Sequence, residues 1–226
     1  MSAAPRNSAP QFRRRRLPLA PEGAKIPLSL LAVGLLVFVV GLRWAGGLIL
    51  MAAAFALWFF RDPERAAPQR EGVVLSGADG KVVEVSEGPA PHQSDGRFRK
   101  VGIFMSPLDV HVNRAPVDGE VESVVHTAGQ FRAAFSDYAS QLNERNLIVL
   151  ADRQGRRHAM VQIAGYLARR IICRLRPHDF IVRGQRLGLI MFGSRVDHFL
   201  PLEFRVTVAV GDRVRAGESV IGELAQ

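Results

Sequence analysis

The stretch "RNLIVLADRQGRRHAMVQIAG", residues 145–165, places one apolar run against another across a charged, glycine-containing step. Each run has the length of a strand rather than of a helix. The same texture recurs in "GVVLSGADGKVVEV" (72–85), "KVGIFMSPLDVHV" (100–112), "GEVESVVHTAG" (119–129), "DFIVRGQRLGLIMFG" (179–193) and "LEFRVTVAVGDRVRAGESVIGEL" (202–224). Short Val/Ile/Leu-rich runs, with Gly or Pro turns about every 8–12 residues, predict a mainly β fold, an antiparallel barrel or sandwich. Helix is scarce in this region. The candidates are "FRAAFSDYASQLNERN" at 131–146 and a turn near 164–170.

Two internal echoes support paired hairpins. "SGADGKV" (76–82) resembles "APVDGEV" (115–121), and "VRGQRLGLI" (182–190) resembles "VRAGESVIGEL" (214–224). The second pair looks like the Gly-turned hairpins of biotinyl and lipoyl carrier domains. Such carriers need a lysine on the hairpin tip, and residues 101–226 contain none. A carrier function is excluded.

The first 60 residues differ. Residues 1–25 hold Arg6, Arg13 to Arg16 and Lys25 against Glu22 and show no apolar period, which predicts a disordered basic tail. "IPLSLLAVGLLVFVVGL" (26–42) and "LILMAAAFALWFF" (48–60) are uncharged and separated by a Gly46-Gly47 break. A soluble helical pair of this length would carry a polar stripe. The expectation is a membrane-anchoring hairpin over 26–60 that either crosses twice or dips into one leaflet. Basic flanks at 13–16 and 61–65 put both ends, and the domain 61–226, on the cytoplasmic side of the inner membrane. The formal charge of +9 is carried almost wholly by arginine. With the cations gathered beside apolar segments, an anionic membrane surface is the expected partner and nucleic acid is not. The single cysteine, Cys173, excludes an internal disulfide and a CxxC metal site.

Phosphate-binding loops, dinucleotide fingerprints, HExxH and the G-x-S-x-G elbow are all missing, and the six histidines show no metal-ligand spacing. What remains is Gly193-Ser194 in "MFGSRVD", a few histidines and Asp79 in a turn. A Gly-Ser pair is ordinarily a turn. It also permits one unusual reaction: the serine hydroxyl can attack the carbonyl before it if that peptide is strained. Glycine suits the attacked position because it lacks a Cβ. A base must take the hydroxyl proton and a donor must stabilise the oxyanion. β-Elimination from the resulting ester, then hydrolysis with loss of ammonia, leaves a pyruvoyl group on the new N-terminus. Its ketone can serve as an electron sink for amines.

Six motifs in order, "WFFRDPER" (58–65), "SGADGKV", "FMSPLDVHVNRAPVDGEV" (104–121), "NERN" (143–146), "QIAGYLARRI" (162–171) and "MFGSRVDHFLP" (191–201), resemble the short bacterial form of phosphatidylserine decarboxylase. The resemblance runs from about residue 25 to the C-terminus. It implies self-cleavage at Gly193-Ser194 into a beta chain, 1–193, and an alpha chain, 194–226, that remain together as a heterodimer. Ser194 would become the pyruvoyl group, with no PLP and no metal. That group would form a Schiff base with phosphatidylserine and release CO2 to give phosphatidylethanolamine. Asp79 matches the acidic member of the family's processing set, with Asp118 in the echoing "VDG" as its control. His111 matches the first histidine of the family's HxxH motif, and Arg114 stands where longer members have the second. His198 is a weaker candidate. The substrate phosphate needs a cation, for which Arg114 and Arg195 are the foremost candidates, beside Arg169 and Arg170.

Overall fold

The computed structural model describes residues 18–131, 142–166, 170–191 and 193–225. Most of the predicted tail, the greater part of the helix expected at 131–146, and Arg169 lie outside these residues. The apolar runs form two antiparallel helices, α1 (Lys25–Val39) and α2 (Arg43–Phe59). Small residues let them approach closely: a Cβ on Gly46 would lie 2.7 Å from the Phe38 backbone, and one on Gly34 3.0 Å from Leu50. At 1.5 Å per residue the helices are about 22 and 26 Å long. No helix among the described residues is long and apolar enough to cross a membrane. The hairpin presents an outer apolar surface that includes Leu36, Val39, Leu48, Met51 and Trp44, the last 92% exposed.

Beyond Phe60 the chain turns to strands: β1 (Val73–Leu75), β2 (Gly80–Ala90), β3 (Gln93–Met105), β4 (Val112–Arg114), β5 (Gly119–Thr127), β6 (Arg145–Asp152), β7 (Arg157–Ile163), β8 (Ile171–Cys173), β9 (Phe180–Ile181), β10 (Arg186–Ile190), β11 (Ser194–Pro201), β12 (Phe204–Val206), β13 (Arg213–Val214) and β14 (Val220–Leu224). Arg145 and Asn146, included in the expected helix, begin β6 instead, because they pair with Ile163 and Gln162 across the β6–β7 hairpin. The pairings between these strands are antiparallel. One eight-stranded sheet, ordered β13-β2-β3-β11-β7-β6-β5-β9, curls into a half barrel. Two three-stranded sheets, β1-β14-β12 and β4-β10-β8, accompany it.

That order is palindromic. Reading inward from both edges matches β13 with β9, β2 with β5, β3 with β6 and β11 with β7; the small sheets match in the same way. The hydrogen bonds repeat too. Val82 N–H donates to Asp212 O at 2.9 Å and Val121 N–H to Asp179 O at 2.9 Å. Gly217 N–H donates to Ser76 O and Gly184 N–H to Ala115 O, both at 2.8 Å. Both long hairpins carry a register shift at the same place, Val82/Glu84 and Val121/Ser123. The chain is thus two copies of one seven-strand unit, the second inserted between β3 and β11 of the first. The two sequence echoes are the traces of this duplication. At its centre His198 of β11 pairs with Met160 of β7. One continuous apolar core, including Val82, Ile103, Met105, Ile148, Leu150, Met160, Leu187 and Val196, fills the interior.

Gly80 and Gly119 open the equivalent strands β2 and β5 against a neighbouring backbone. A Cβ would fall 2.1 Å from Phe104 O at the first and 2.0 Å from Ala151 O at the second. Gly80→Ala and Gly119→Ala are each expected to lose about 1–3 kcal/mol through overpacking. Urea denaturation of each variant checks this, and an unchanged midpoint would refute the close approach.

Candidate active site

Ser194 opens β11, and every residue of this strand is buried. β3 and β7 flank it on either side. Side chains alternate along a strand. Val196 and Leu200 enter the main core, which places Ser194 and His198 on the same face, while Phe199 joins a cluster on the other. Ser194 is fully buried, and its Oγ lies 3.3 Å from Met105 Sδ on the paired strand. Gly193 precedes it at φ +62°, where a Cβ would meet nothing within 4 Å among the described residues. The left-handed conformation strains any residue that carries a side chain.

The turn before β2 converges on the same face. Gly77 N–H donates to His198 Nε2 at 3.0 Å. Gly77 O accepts Arg114 N–H at 3.0 Å and Asn113 Nδ2 at 3.2 Å. Asn113 Oδ1 in turn accepts from Gln162 Nε2 at 2.8 Å, and Gln162 Oε1 from Asn146 Nδ2 at 3.0 Å. A Cβ on Gly77 would strike Met160 Sδ at 2.7 Å and His198 Cε1 at 2.8 Å. Main chain and buried amides therefore fix the position of the turn.

Asp79 follows in that turn. Its Oδ1 accepts Ala216 N–H at 2.7 Å and its Oδ2 accepts from Arg65 Nη2 at 2.8 Å. Its counterpart Asp118 accepts Arg183 N–H at 2.8 Å in the equivalent place. The contact to a turn N–H is thus common to both copies and serves the fold. The Arg65 bridge, which continues to Glu218 at 2.8 Å, is a feature of the Asp79 copy. Burial pushes the Asp79 carboxyl above its ordinary value, against the pull of the Ala216 N–H and Arg65, and the charge of Asp109 adds to the rise.

His111 is fully buried. Its Nδ1 lies 2.9 Å from Asp109 O, and a carbonyl can only accept, so Nδ1 carries the proton. Nε2 is buried without a hydrogen-bond partner among the described residues. The Phe59 ring lies over the imidazole, centroid to centroid 4.3 Å and tilted 38°. Burial drops the His111 pKa to about 4, opposed by the Asp109 carbonyl and charge and reinforced by Arg61. Arg61 itself feels the charges of Asp79, Asp109 and Arg65. Asp79 and His111 thus share one electrostatic neighbourhood through Asp109 and Arg61, two residues that sequence reasoning missed. Both lie within the quoted motifs, yet nothing local marks either as a neighbour of Asp79. Asp109 accepts from Ser106 Oγ at 2.6 Å and from Arg213 Nη1 at 3.1 Å.

The remaining candidates have other engagements. His198 accepts the Gly77 N–H, and burial, with a further push from His158, lowers its pKa to about 3. Arg114 is buried against Asp62 at 3.0 Å, Gly184 O at 3.0 Å and Pro63 O at 2.8 Å. Arg195, on the face of β11 opposite Ser194, is buried against Asp197 at 2.6 Å and also bonds Glu84. Lys100 joins that group, 2.8 Å from Glu84 and 3.2 Å from Asp197. Among the described residues no three His, Cys, Asp or Glu side chains converge as metal ligands.

Comparisons with known proteins identify the family. The sequence profile of the phosphatidylserine decarboxylase family matches residues 52–222. A phosphatidylserine decarboxylase proenzyme from Symbiobacterium thermophilum is 45% identical over 94% of this chain and 98% of its own length. Those of Desulfotalea psychrophila, 45% identical over 78% of this chain and 83% of its own, and Nitrosomonas europaea, 43% over 91% and 94%, are also similar.

The buried histidines set an acid limit on stability. Unfolded, each binds a proton near pH 6.5; folded, His111 does so only near 4 and His198 near 3. The unfolded state therefore holds extra protons in between. Stability is full above about pH 6.5 and falls as the pH drops, with His111 alone costing about 3 kcal/mol by pH 4. Urea denaturation of the uncut Ser194→Ala chain at pH 7 and 4.5 checks this, and adding His111→Gln is expected to shrink the loss. Equal losses with and without His111 would count against its neutral burial.

Proposed function

Because the chain belongs to the phosphatidylserine decarboxylase family, a pyruvoyl-dependent carboxy-lyase family, we propose that Gly193-Ser194 is its processing bond and Ser194 the source of the pyruvoyl group. The proenzyme character of its relatives implies an alpha and a beta chain, and the family implies phosphatidylserine as substrate. The observation that carries the assignment is local. An open, left-handed glycine stands immediately before a serine that is fully buried at the start of a strand clamped on both edges.

In this reading the Ser194 Oγ bonds to the Gly193 carbonyl carbon as the peptide C–N bond breaks, giving an ester. Elimination frees the Gly193 carboxylate, and hydrolysis releases ammonia. The buried setting fits the product, a ketone kept from bulk water. When formed, the pyruvoyl group supplies a carbonyl that condenses with a primary amine and takes up the electrons released as CO2 departs. His111 moves the protons. Its Nδ1–H is held by Asp109 O, so Nε2 is the atom that accepts or delivers one. Asp79, with Arg65 and Asp109, sets the charge of the turn that faces β11. Arg114 and Arg195 hold the scaffold through Asp62 and Asp197 rather than the substrate phosphate. The apolar hairpin and its basic flanks seat the enzyme on the anionic, cytoplasmic face of the inner membrane.

Wild-type protein is expected as two chains divided at 193/194, the smaller one blocked at its N-terminus and lighter by one ammonia. Ser194→Ala is expected as one chain of 24.8 kDa. Denaturing gels and intact mass check both, and an unblocked serine or an uncut wild type would sink the assignment. Asp79→Asn, which keeps an acceptor for Ala216, should slow processing about tenfold or more. Asp118→Asn should process at the wild-type rate, and equal slowing of both would reduce Asp79 to a fold residue.

A further inference from the structure

The end of α2 reaches the histidine. Phe59 and Phe60, both fully buried, form a separate apolar cluster with Val110 and Val112 on either side of His111, and with Leu189 of β10. Met191, two residues before the proposed processing bond, packs against the same cluster. Phe60 meets Phe59 edge-on at 5.0 Å, and Phe59 lies against the imidazole at 4.3 Å. One residue further on, Arg61 clamps the same loop by donating to Leu108 O at 2.7 Å and to Trp58 O at 2.8 Å. Its guanidinium rests 4.1 Å over the Trp58 ring, which is 55% exposed on the apolar helix.

We propose that Phe59 is a positioning residue for His111: the last residue of α2 forms the wall that fixes the imidazole plane and keeps Nε2 dry. The proposal rests on the reading of His111 as the proton-handling group. Its geometry is specific. Asp109 O holds Nδ1, and the Phe59 ring, tilted 38° at 4.3 Å, restricts the tilting that the side-chain bonds still allow. The same ring, with the other side chains of its cluster, contributes to the burial that keeps the imidazole neutral to about pH 4 although Asp109 lies beside it. The charged groups acting on the ring are Asp109 from its own loop and Arg61 from the exit of α2, and Arg213 of β13 binds Asp109. Seating of the hairpin in a lipid surface and the geometry of the proton donor are thereby joined through one side chain.

The test uses the full-length, processed protein in detergent micelles, with histidine carbon-labelled and the His111 signal identified by its loss in His111→Gln. Phe59→Ala is expected to remain processed while its His111 pKa rises by about one unit or more. Its decarboxylation kcat should fall about tenfold while KM for phosphatidylserine in mixed micelles changes less than about threefold. Phe59→Leu, which restores apolar cover, should recover the low pKa. A Phe59→Ala protein with slower turnover but unmoved His111 titration and pH–rate profile would overturn the proposal, leaving Phe59 a packing residue. If Phe59→Ala fails to fold, the wild-type protein still decides: through-space contacts between the Phe59 and His111 rings are expected, and their absence overturns the wall. Full decarboxylase activity in His111→Gln would instead overturn the role of His111 itself, whatever Phe59 does to its titration.

Discussion

β11 is hydrogen-bonded on both edges and buried along its whole length, and the rest of the architecture is arranged around that fact. A break before Ser194 would release a segment that forms the middle of the large sheet, its β13 edge and the centre of a small sheet. Such a piece cannot leave without unzipping β3 and β7 together. Cutting the backbone there therefore costs little structure, and a new N-terminus would remain where the serine had been. The same clamping fixes Ser194 against Met105 and holds His198 under the Gly77 turn.

The duplicated unit explains why the site is placed there. In the inserted copy, β6 passes directly into β7 through a short turn at 153–156. In the outer copy the equivalent passage, from β3 to β11, has the whole second copy inserted into it. Gly193-Ser194 stands at the return from that insertion, where the strand start is fixed but the preceding residue is free of a neighbour on its Cβ side. The two copies then diverge in charge. Asp79 gained Arg65 and the nearness of Asp109 and Arg61, whereas Asp118 faces Arg183 and Arg153 at the surface.

Burial decides the protonation of the two histidines, while bonded partners decide that of Glu84. His111 and His198 are neutral because no carboxylate side chain among the described residues hydrogen-bonds either ring, so desolvation goes unopposed by a partner of that kind. The buried arginines satisfy their donors with Asp62, Asp197 and backbone carbonyls, and a guanidinium so engaged is costly to withdraw for a ligand. Glu84 is held down to about 2, where burial alone would raise it, because Lys100, Ser86 and Arg195 bond its carboxylate.

The sequence alone determined the strands, the apolar hairpin, the echoes between copies and the Gly193-Ser194 pair, because each is written in short-range periodicity or in neighbouring residues. Helix over 131–146 was misjudged at its end, where Arg145 and Asn146 belong to a strand through pairing with β7. Only the tertiary structure showed how the surroundings of Asp79 and Asp118 differ in charge, since both stand in an Asp-Gly turn and Arg65 comes from the linker after α2. Only the tertiary structure committed Arg114 to Asp62, 52 residues away, and Arg195 to Glu84, 111 away. It also laid Phe59 over His111. Contacts of that range are set by how the sheets curl and pack, and no pattern in nearby residues records them.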